Sequence, residues 1–294
     1  MSTIGVGQRR VSHRDLYHLI VDAMPMRALA RAAGMILPAP RVTVAAYDLA
    51  LAGFPRALDG LTILHLSDLH LHPGSGIAWQ LPALLDTLSY DLMVWTGDFV
   101  DATSQFTDLR ALLGQVLRRA PAYAVLGNHD HELWDMDDTE RAAINLTHIL
   151  REAGIDVLTN EARTLYGGEL VVAGVDDPVT GHDDLDRALD AADLSTGALW
   201  TILLSHSPDI VRTCARRSGR SPDLILAGHT HGGQICLPLV GPLRTRSTLP
   251  NRAIAGAHAH AGIPYVVTRG VGYSGLDVRV CCPPDIGLVR LRPA

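Results

Sequence analysis

Asp68 and His70, then Asp98, the run Asn128-His129-Asp130, His206, and finally His229 and His231 set carboxylates, an amide and imidazoles in five short patches of a 294-residue chain. These are the oxygen and nitrogen donors that divalent first-row cations accept. Two such ions about 3.5–4 Å apart need a shared carboxylate and several ligands on each side, and together they clamp the attacking and leaving oxygens of an in-line displacement. The chemistry to expect is hydrolysis at a two-metal centre. Spacing agrees with residue type. Asp68 and His70 stand two apart, so in extended chain their side chains share one side, and His229 and His231 repeat that interval. Gly97 frees the backbone for a sharp turn that brings Asp98 forward.

Singly, a D-x-H or a G-D is common, and Ser205-His-Ser-Pro208 reads as readily as a helix N-cap. All five patches in this order, each behind its own apolar run, form no chance pattern. The runs cover residues 62–67, 92–96, 123–126, 201–205 and 224–227, each short and bounded by a glycine or polar turn, as buried strands are. Placed side by side in one sheet, such strands would bring the loops at their carboxyl ends to one crevice. Amphipathic helices are expected between them, over roughly 77–89, 107–119, 138–153, 183–192 and 207–217. The alternation predicts an α/β architecture. Beyond Gly228 the helices stop, and 263–267, 278–282 and 287–291 read as strands.

Pro38-Ala-Pro40 marks a boundary, since two prolines so close cannot continue a helix. It divides an N-terminal helical segment, residues 1–40, from a strand over 41–52 and a single domain, residues 41–294. The formal net charge is −6, of which residues 1–40 carry +3 and the remainder −9. An acidic body excludes a general nucleic-acid binder, which needs a basic face. Leu16, Leu19, Ile20 and Ala23 stand at helical spacing among arginines. That segment either contacts a membrane surface peripherally, arginines toward anionic lipid, or packs on the domain. Cys214, Cys236, Cys281 and Cys282 form no C-x-x-C pair, which fits a reducing compartment. With neither a long apolar span nor a signal peptide in view, a cytoplasmic protein is expected, peripheral on the inner membrane if the segment binds lipid.

At these residues the chain resembles the calcineurin-like metallophosphoesterases, matching the order D-x-H, G-D, G-N-H-D/E, H, G-H-x-H without a gap over about residues 42–291. Leu66-Ser-Asp-Leu-His70 and Gly228-His-Thr-His-Gly-Gly-Gln234 are similar to its bacterial YkuE-like branch. The resemblance implies a metallophosphoesterase fold, a β-sandwich flanked by α-helices in four layers. It implies Asp68, His70 and His231 on one metal, Asp98 bridging, and Asn128, His206 and His229 on the other. His129 would stabilise the scissile phosphate or protonate the leaving oxygen, and Asp130 would hydrogen-bond His129. The nucleophile would be a metal-bound hydroxide, and the mixed N/O site suits Mn²⁺, Fe or Zn²⁺.

The expected substrate is a phosphorylated small molecule or a lipid-linked one, cut at a phosphomono- or phosphodiester bond. A specific alternative implied by the fold is UDP-2,3-diacylglucosamine pyrophosphatase action in lipid A synthesis. An alternative of another class is a non-catalytic metal-binding scaffold, though every expected ligand is present. Other residues are ambiguous. His72 is either a site contact or a loop histidine, His65 reads as a core histidine within its strand, and His131 as a solvent-facing one. His258 and His260 read as loop residues, Trp134 as a pocket wall or surface packing, and Cys281-Cys282 as a strand end with buried thiols.

Overall fold

The computed structural model describes residues 40–294 apart from 73–75, 118–119, 134, 136–137 and 194–199. The expected N-terminal helical segment, but for Pro40, and Trp134 lie outside the described residues. Along the chain run β1 (Thr43–Leu51), β2 (Thr62–Leu66), β3 (Leu92–Thr96), β4 (Ala122–Val125), β5 (Ile155–Val157), β6 (Glu161–Leu165) and β7 (Leu170–Gly174). There follow β8 (Trp200–Ser205), β9 (Leu224–Ala227), β10 (Cys236–Leu237), β11 (Gly241–Pro242), β12 (Gly256–His260), β13 (Ile263–Val267) and β14 (Asp285–Pro293). The α-helices are α1 (Leu81–Leu85), α2 (Phe106–Val116), α3 (Asn128–His131), α4 (Thr139–Glu152), α5 (Leu185–Asp193) and α6 (Ile210–Cys214).

The five apolar runs became β2, β3, β4, β8 and β9, but they divide between two sheets. One six-stranded sheet has the order β1-β14-β2-β3-β4-β5, the other β12-β13-β9-β8-β7-β6. The inner neighbours β2 to β5, and β7 to β9 with β13, are parallel. Parallel interior strands must be covered on both faces, and β2, β3, β4, β7, β8 and β9 are buried at every position.

Strand alternation sorts these side chains into separate cores. Ile63, Leu92, Val94, Val125, Val172, Ile202, Leu204 and Leu226 meet between the sheets. Their neighbours Leu64, Leu66, Met93 and Trp95 face outward onto Leu109, Leu112 and Leu113 of α2 and Leu146 and Leu150 of α4. On the other side Val171, Leu203 and Ile225 receive Leu185 and Leu189 of α5 and Ile210 and Val211 of α6. The result is the expected α/β class, a β-sandwich with a helical layer outside each sheet. Each such aliphatic side chain stabilises the fold by about 1.5–3 kcal/mol.

Two expectations differ from the structure. Residues 278–282 give no strand, only a bridge from Val280 to Ile235, because the buried Arg279 side chain turns in toward the ligand loops and Pro283-Pro284 cannot extend a ladder. His258 and His260 lie not in a loop but on the edge strand β12, paired with β13.

Candidate metal centre

The candidate ligands leave the carboxyl ends of β2, β3, β4, β8 and β9, where loops from both sheets meet. Past β2 the chain stays tied to its neighbour: the N–H groups of Asp68 and His70 donate to the carbonyls of Gly97 and Asp98 at 2.9 and 3.0 Å. To aim their side chains inward, the ligands take unusual backbone conformations. Asp68, His70, Asp98, His229 and His231 have φ of 53°, 41°, 57°, 70° and 50°. Such left-handed conformations cost non-glycine residues roughly 1–2 kcal/mol each, and their clustering is a mark of function. The close approach also needs Gly127 and Gly228, where a Cβ would overlap the carboxylates of Asp98 and Asp68 respectively.

Asp98 Oδ2 lies 3.2 Å from His70 Nε2 and 3.2 Å from His206 Nε2. On one side His231 Nε2 is 3.1 Å from His70 Nε2 and 3.3 Å from Asp68 Oδ1. On the other, His229 Nδ1 is 3.1 Å from His206 Nε2. Ligands about 2.0–2.1 Å from a common ion stand about 3.0 Å apart in octahedral geometry and about 3.4 Å in tetrahedral. These separations fall in that interval, while Asp68 Oδ1 and His70 Nε2 stand wider at 3.9 Å, and the sets Asp68/His70/His231 and Asp98/His206/His229 are each close enough to hold an ion. Asn128 Oδ1 is buried with no hydrogen-bond partner among the described residues. The donor set therefore fits two divalent cations.

Neighbouring groups select the ligating nitrogen. His70 Nδ1 faces Asp101 Oδ1 at 2.7 Å, His206 Nδ1 the Thr96 carbonyl at 2.6 Å, and His229 Nε2 the Arg246 carbonyl at 3.1 Å. Each contact accepts the ring N–H and leaves the other nitrogen's lone pair turned inward.

A sequence model of the calcineurin-like phosphoesterases matches residues 61–233. The chain belongs to the calcineurin-like phosphoesterase family. It is therefore a hydrolase of phosphoric esters in a family that works with divalent metals. Among its relatives, the uncharacterized metallophosphoesterase YkoQ of Bacillus subtilis is 32% identical over 240 residues, covering 80% of this chain and 84% of that protein. The uncharacterized metallophosphoesterase YkuE of the same organism is 28% identical over 248 residues, covering 81% of each, in keeping with the expected branch. UDP-2,3-diacylglucosamine pyrophosphatase LpxG of Chlamydia trachomatis is 28% identical over 285 residues, covering 79% of this chain and 84% of that protein.

Within this candidate centre the carboxylate beside His129 is not the one expected. Asp130 directs both oxygens to backbone, accepting from the N–H groups of Asp98, Gly127 and Phe99 at 2.7, 2.9 and 2.8 Å. Asp101 Oδ1 instead stands 3.4 Å from His129 Nδ1. The signal that could have found it is a second aspartate three residues after Asp98, on the same loop. Arg279, also unforeseen, is buried against the ligand loops. Its guanidinium donates to the carbonyls of His231, Arg269, Gly270 and Gly272, and lies 3.2 Å from His231 Nδ1.

His131 does not face solvent. It is buried, its Nε2 is 2.8 Å from Asp176 Oδ1, and its ring stacks on His182. His72 faces Asp277 at 3.1 Å. His65 is a core histidine, with Nε2 2.9 Å from Thr96 Oγ1. Cys282 is buried and donates to the His231 carbonyl, whereas Cys281 is exposed.

Electrostatics suits cation binding. Burial opposes ionisation of Asp98, yet His206, His129 and His70 together hold its carboxyl well below the usual range. Burial, reinforced by His206, holds His229 well below the imidazole range, and burial with His70 and Arg279 does the same for His231. Neutral imidazole is the ligating form. His206, despite burial, is pushed up to about 10 by the Asp98 carboxylate, a proton for which a divalent cation competes.

Proposed function

We propose that the protein hydrolyses phosphomono- or phosphodiester bonds at a dinuclear centre, with Asp68, His70 and His231 on one ion, Asn128, His206 and His229 on the other, and Asp98 shared. The observation that carries this reading is the equal 3.2 Å approach of Asp98 Oδ2 to His70 and His206, one from each ligand set. Two cations bound there supply Lewis acidity toward the phosphate and the attacking water. The remaining work falls to the chain. Asp101 orients His70 and His129. His129, its side chain only 11% exposed, donates to the phosphate or protonates the leaving oxygen. Asp130 keeps Gly127 and Asp98 in register through their N–H groups.

Mn²⁺, Fe and Zn²⁺ suit the mixed donors, and the acidic body supports a phosphorylated small molecule or lipid-linked substrate over nucleic acid. Among the described residues no helix is long and apolar enough to cross a membrane. The reading we favour is cytoplasmic action, with peripheral contact at the inner membrane. The likeness to LpxG supports a second reading, hydrolysis of the pyrophosphate of UDP-2,3-diacylglucosamine.

The deciding experiment is Mn²⁺-dependent hydrolysis of bis-p-nitrophenyl phosphate and p-nitrophenyl phosphate by the native protein and Asp98→Asn. Turnover that vanishes in the variant is expected. A metal-loaded protein inert toward both would overturn a broad ester range and leave the acylated nucleotide sugar. A protein that neither binds Mn²⁺ nor gains stability from it would overturn catalysis in favour of a scaffold.

A further inference from the structure

β10 and β11 form a hairpin outside both sheets, Cys236 opposite Pro242 and Leu237 opposite Gly241. Its tip and flanks are apolar and exposed at Leu237, Leu239, Val240 and Leu243. Leu239 has a relative exposure of 108%, so the protein covers none of it. The fold supplies no reason for a leucine there. The Val240 N–H donates to the Leu237 carbonyl at 3.2 Å, closing a turn with Pro238 and Leu239 in the middle. Leu239 has φ 67°, which at the third position of such a turn ordinarily calls for glycine or asparagine. A large apolar side chain is thus held at a position that is both strained and bare.

Along the chain, the charge flanking the hairpin is one-sided, although Asp209 accepts hydrogen bonds from Ser247 and Thr248 beyond it. Between Asp223 and Asp277 the chain has no aspartate or glutamate, in a protein whose net charge is −6, while Arg244, Arg246 and Arg252 fall within that stretch. Arg244 is exposed and directly follows Leu243. The adjoining loop, joined through the Ile235–Val280 bridge, contributes one carboxylate, Asp277, which faces His72.

The hairpin is also fixed to the metal centre. It leaves the candidate ligand His231 through Gly232 and Gly233, closes on itself where the Leu243 N–H donates to the Ile235 carbonyl at 3.0 Å, and continues to Arg246, whose carbonyl holds His229. Chain length alone keeps Leu239 within roughly 29 Å of His231.

A stable protein partner needs about 800 Å² on each side, far more than one short protruding tip offers. A bilayer makes no such demand. Apolar side chains enter the acyl boundary while flanking guanidinium groups meet phosphate headgroups, and attraction grows with both. We propose that the β10–β11 hairpin docks this protein on a phospholipid bilayer with anionic headgroups, Leu239 and Val240 entering the acyl boundary and Arg244 meeting the phosphates. The metal centre is thereby presented to esters in the headgroup plane, a consequence that rests on the phosphoesterase reading; the docking does not.

The test is flotation of the metal-loaded full chain with vesicles of phosphatidylcholine alone or mixed with phosphatidylglycerol, comparing the native protein with Leu239→Asn/Val240→Ser. Asparagine tolerates positive φ, so the variant keeps its fold. The native protein is expected to float with anionic vesicles, less with neutral ones and less in high salt. The variant should partition at least about tenfold less and hydrolyse bis-p-nitrophenyl phosphate as the native protein does. Equal flotation of both proteins would place the contact elsewhere, residues 1–40 included, and overturn the proposal. So would absence of native flotation, or a native dimer that the substitutions disperse. Flotation lost in the variant while neither protein hydrolyses any ester would overturn the phosphoesterase reading and leave the docking intact.

Discussion

Asp101 Oδ1 stands 2.7 Å from His70 Nδ1, so a buried carboxylate fixes which nitrogen His70 turns toward the candidate metal centre. The same oxygen is 3.4 Å from His129 Nδ1. One side chain thereby governs a candidate ligand and the candidate proton donor together. Removing such an outer partner typically costs about 10–100-fold in metal affinity or activity. Asp101→Ala is expected to fall in that range for Mn²⁺ affinity by calorimetry. Turnover at saturating Mn²⁺ should fall further, because His129 is released as well. A variant with native affinity and native turnover would show that neither imidazole depends on Asp101.

Asp130 and His129, neighbours in sequence, are expected to fail differently. Both Asp130 oxygens accept backbone N–H groups, so the amide of Asp130→Asn must turn a donor toward a donor. Leaving a buried group unsatisfied costs about 1–3 kcal/mol, and a lower melting temperature should accompany lost activity. His129→Gln should keep the native melting temperature and metal content while turnover drops. His129 lies close enough to His70 and Asp98 to join a ligand set. Metal loss in His129→Gln as large as in Asp98→Asn would assign it there and remove it from proton transfer.

The ligand patches are legible in the sequence because metal chemistry restricts residue type and each patch rides on the end of an apolar run. The partition of those runs between two sheets is not. A strand buried on both faces shows no periodicity to tell which sheet it joins, and β2 and β9 read alike. β12 escapes notice because Gly256-Ala-His-Ala-His260 alternates small residues with histidines, without the branched residues that signal a strand. The family resemblance pairs Asp130 with His129, whereas the tight turn of α3 sends its carboxylate back to Gly127 and the loop after β3. Arg279 is 48 residues from the His231 carbonyl it reaches, a separation at which no local pattern operates.

Arg279 spreads its donors over four carbonyls in the loops around Asp68 and His231. A lysine brings the charge but not the planar fork. Arg279→Lys is therefore expected to lose about 2–4 kcal/mol of stability, since breaking a buried hydrogen-bonded charge is costly. Mn²⁺ affinity should fall about tenfold as the His231 loop loosens. Denaturant unfolding with saturating and with no Mn²⁺ separates the two effects. A variant destabilised equally in both conditions would confine Arg279 to the fold.

The pH dependence of stability should carry the signature of His65. Burial drives this imidazole down to about 3; its Nε2 reaches Thr96 Oγ1 while its Nδ1 has no partner among the described residues. With the folded value below the unfolded one of about 6.5, the unfolded chain takes up a proton that the folded chain refuses. Stability present above about pH 6.5 is therefore lost as pH falls, by about 1.4 kcal/mol per pH unit down to about pH 3. His65→Gln keeps a polar group near Thr96 and removes the titration. Between about pH 6.5 and about pH 4.5 the variant should lose about 2–3 kcal/mol less than the native protein. Every other titrating group is common to both proteins, so the difference between the two isolates His65. Parallel acid-unfolding curves would show that His65 accepts its proton within the fold.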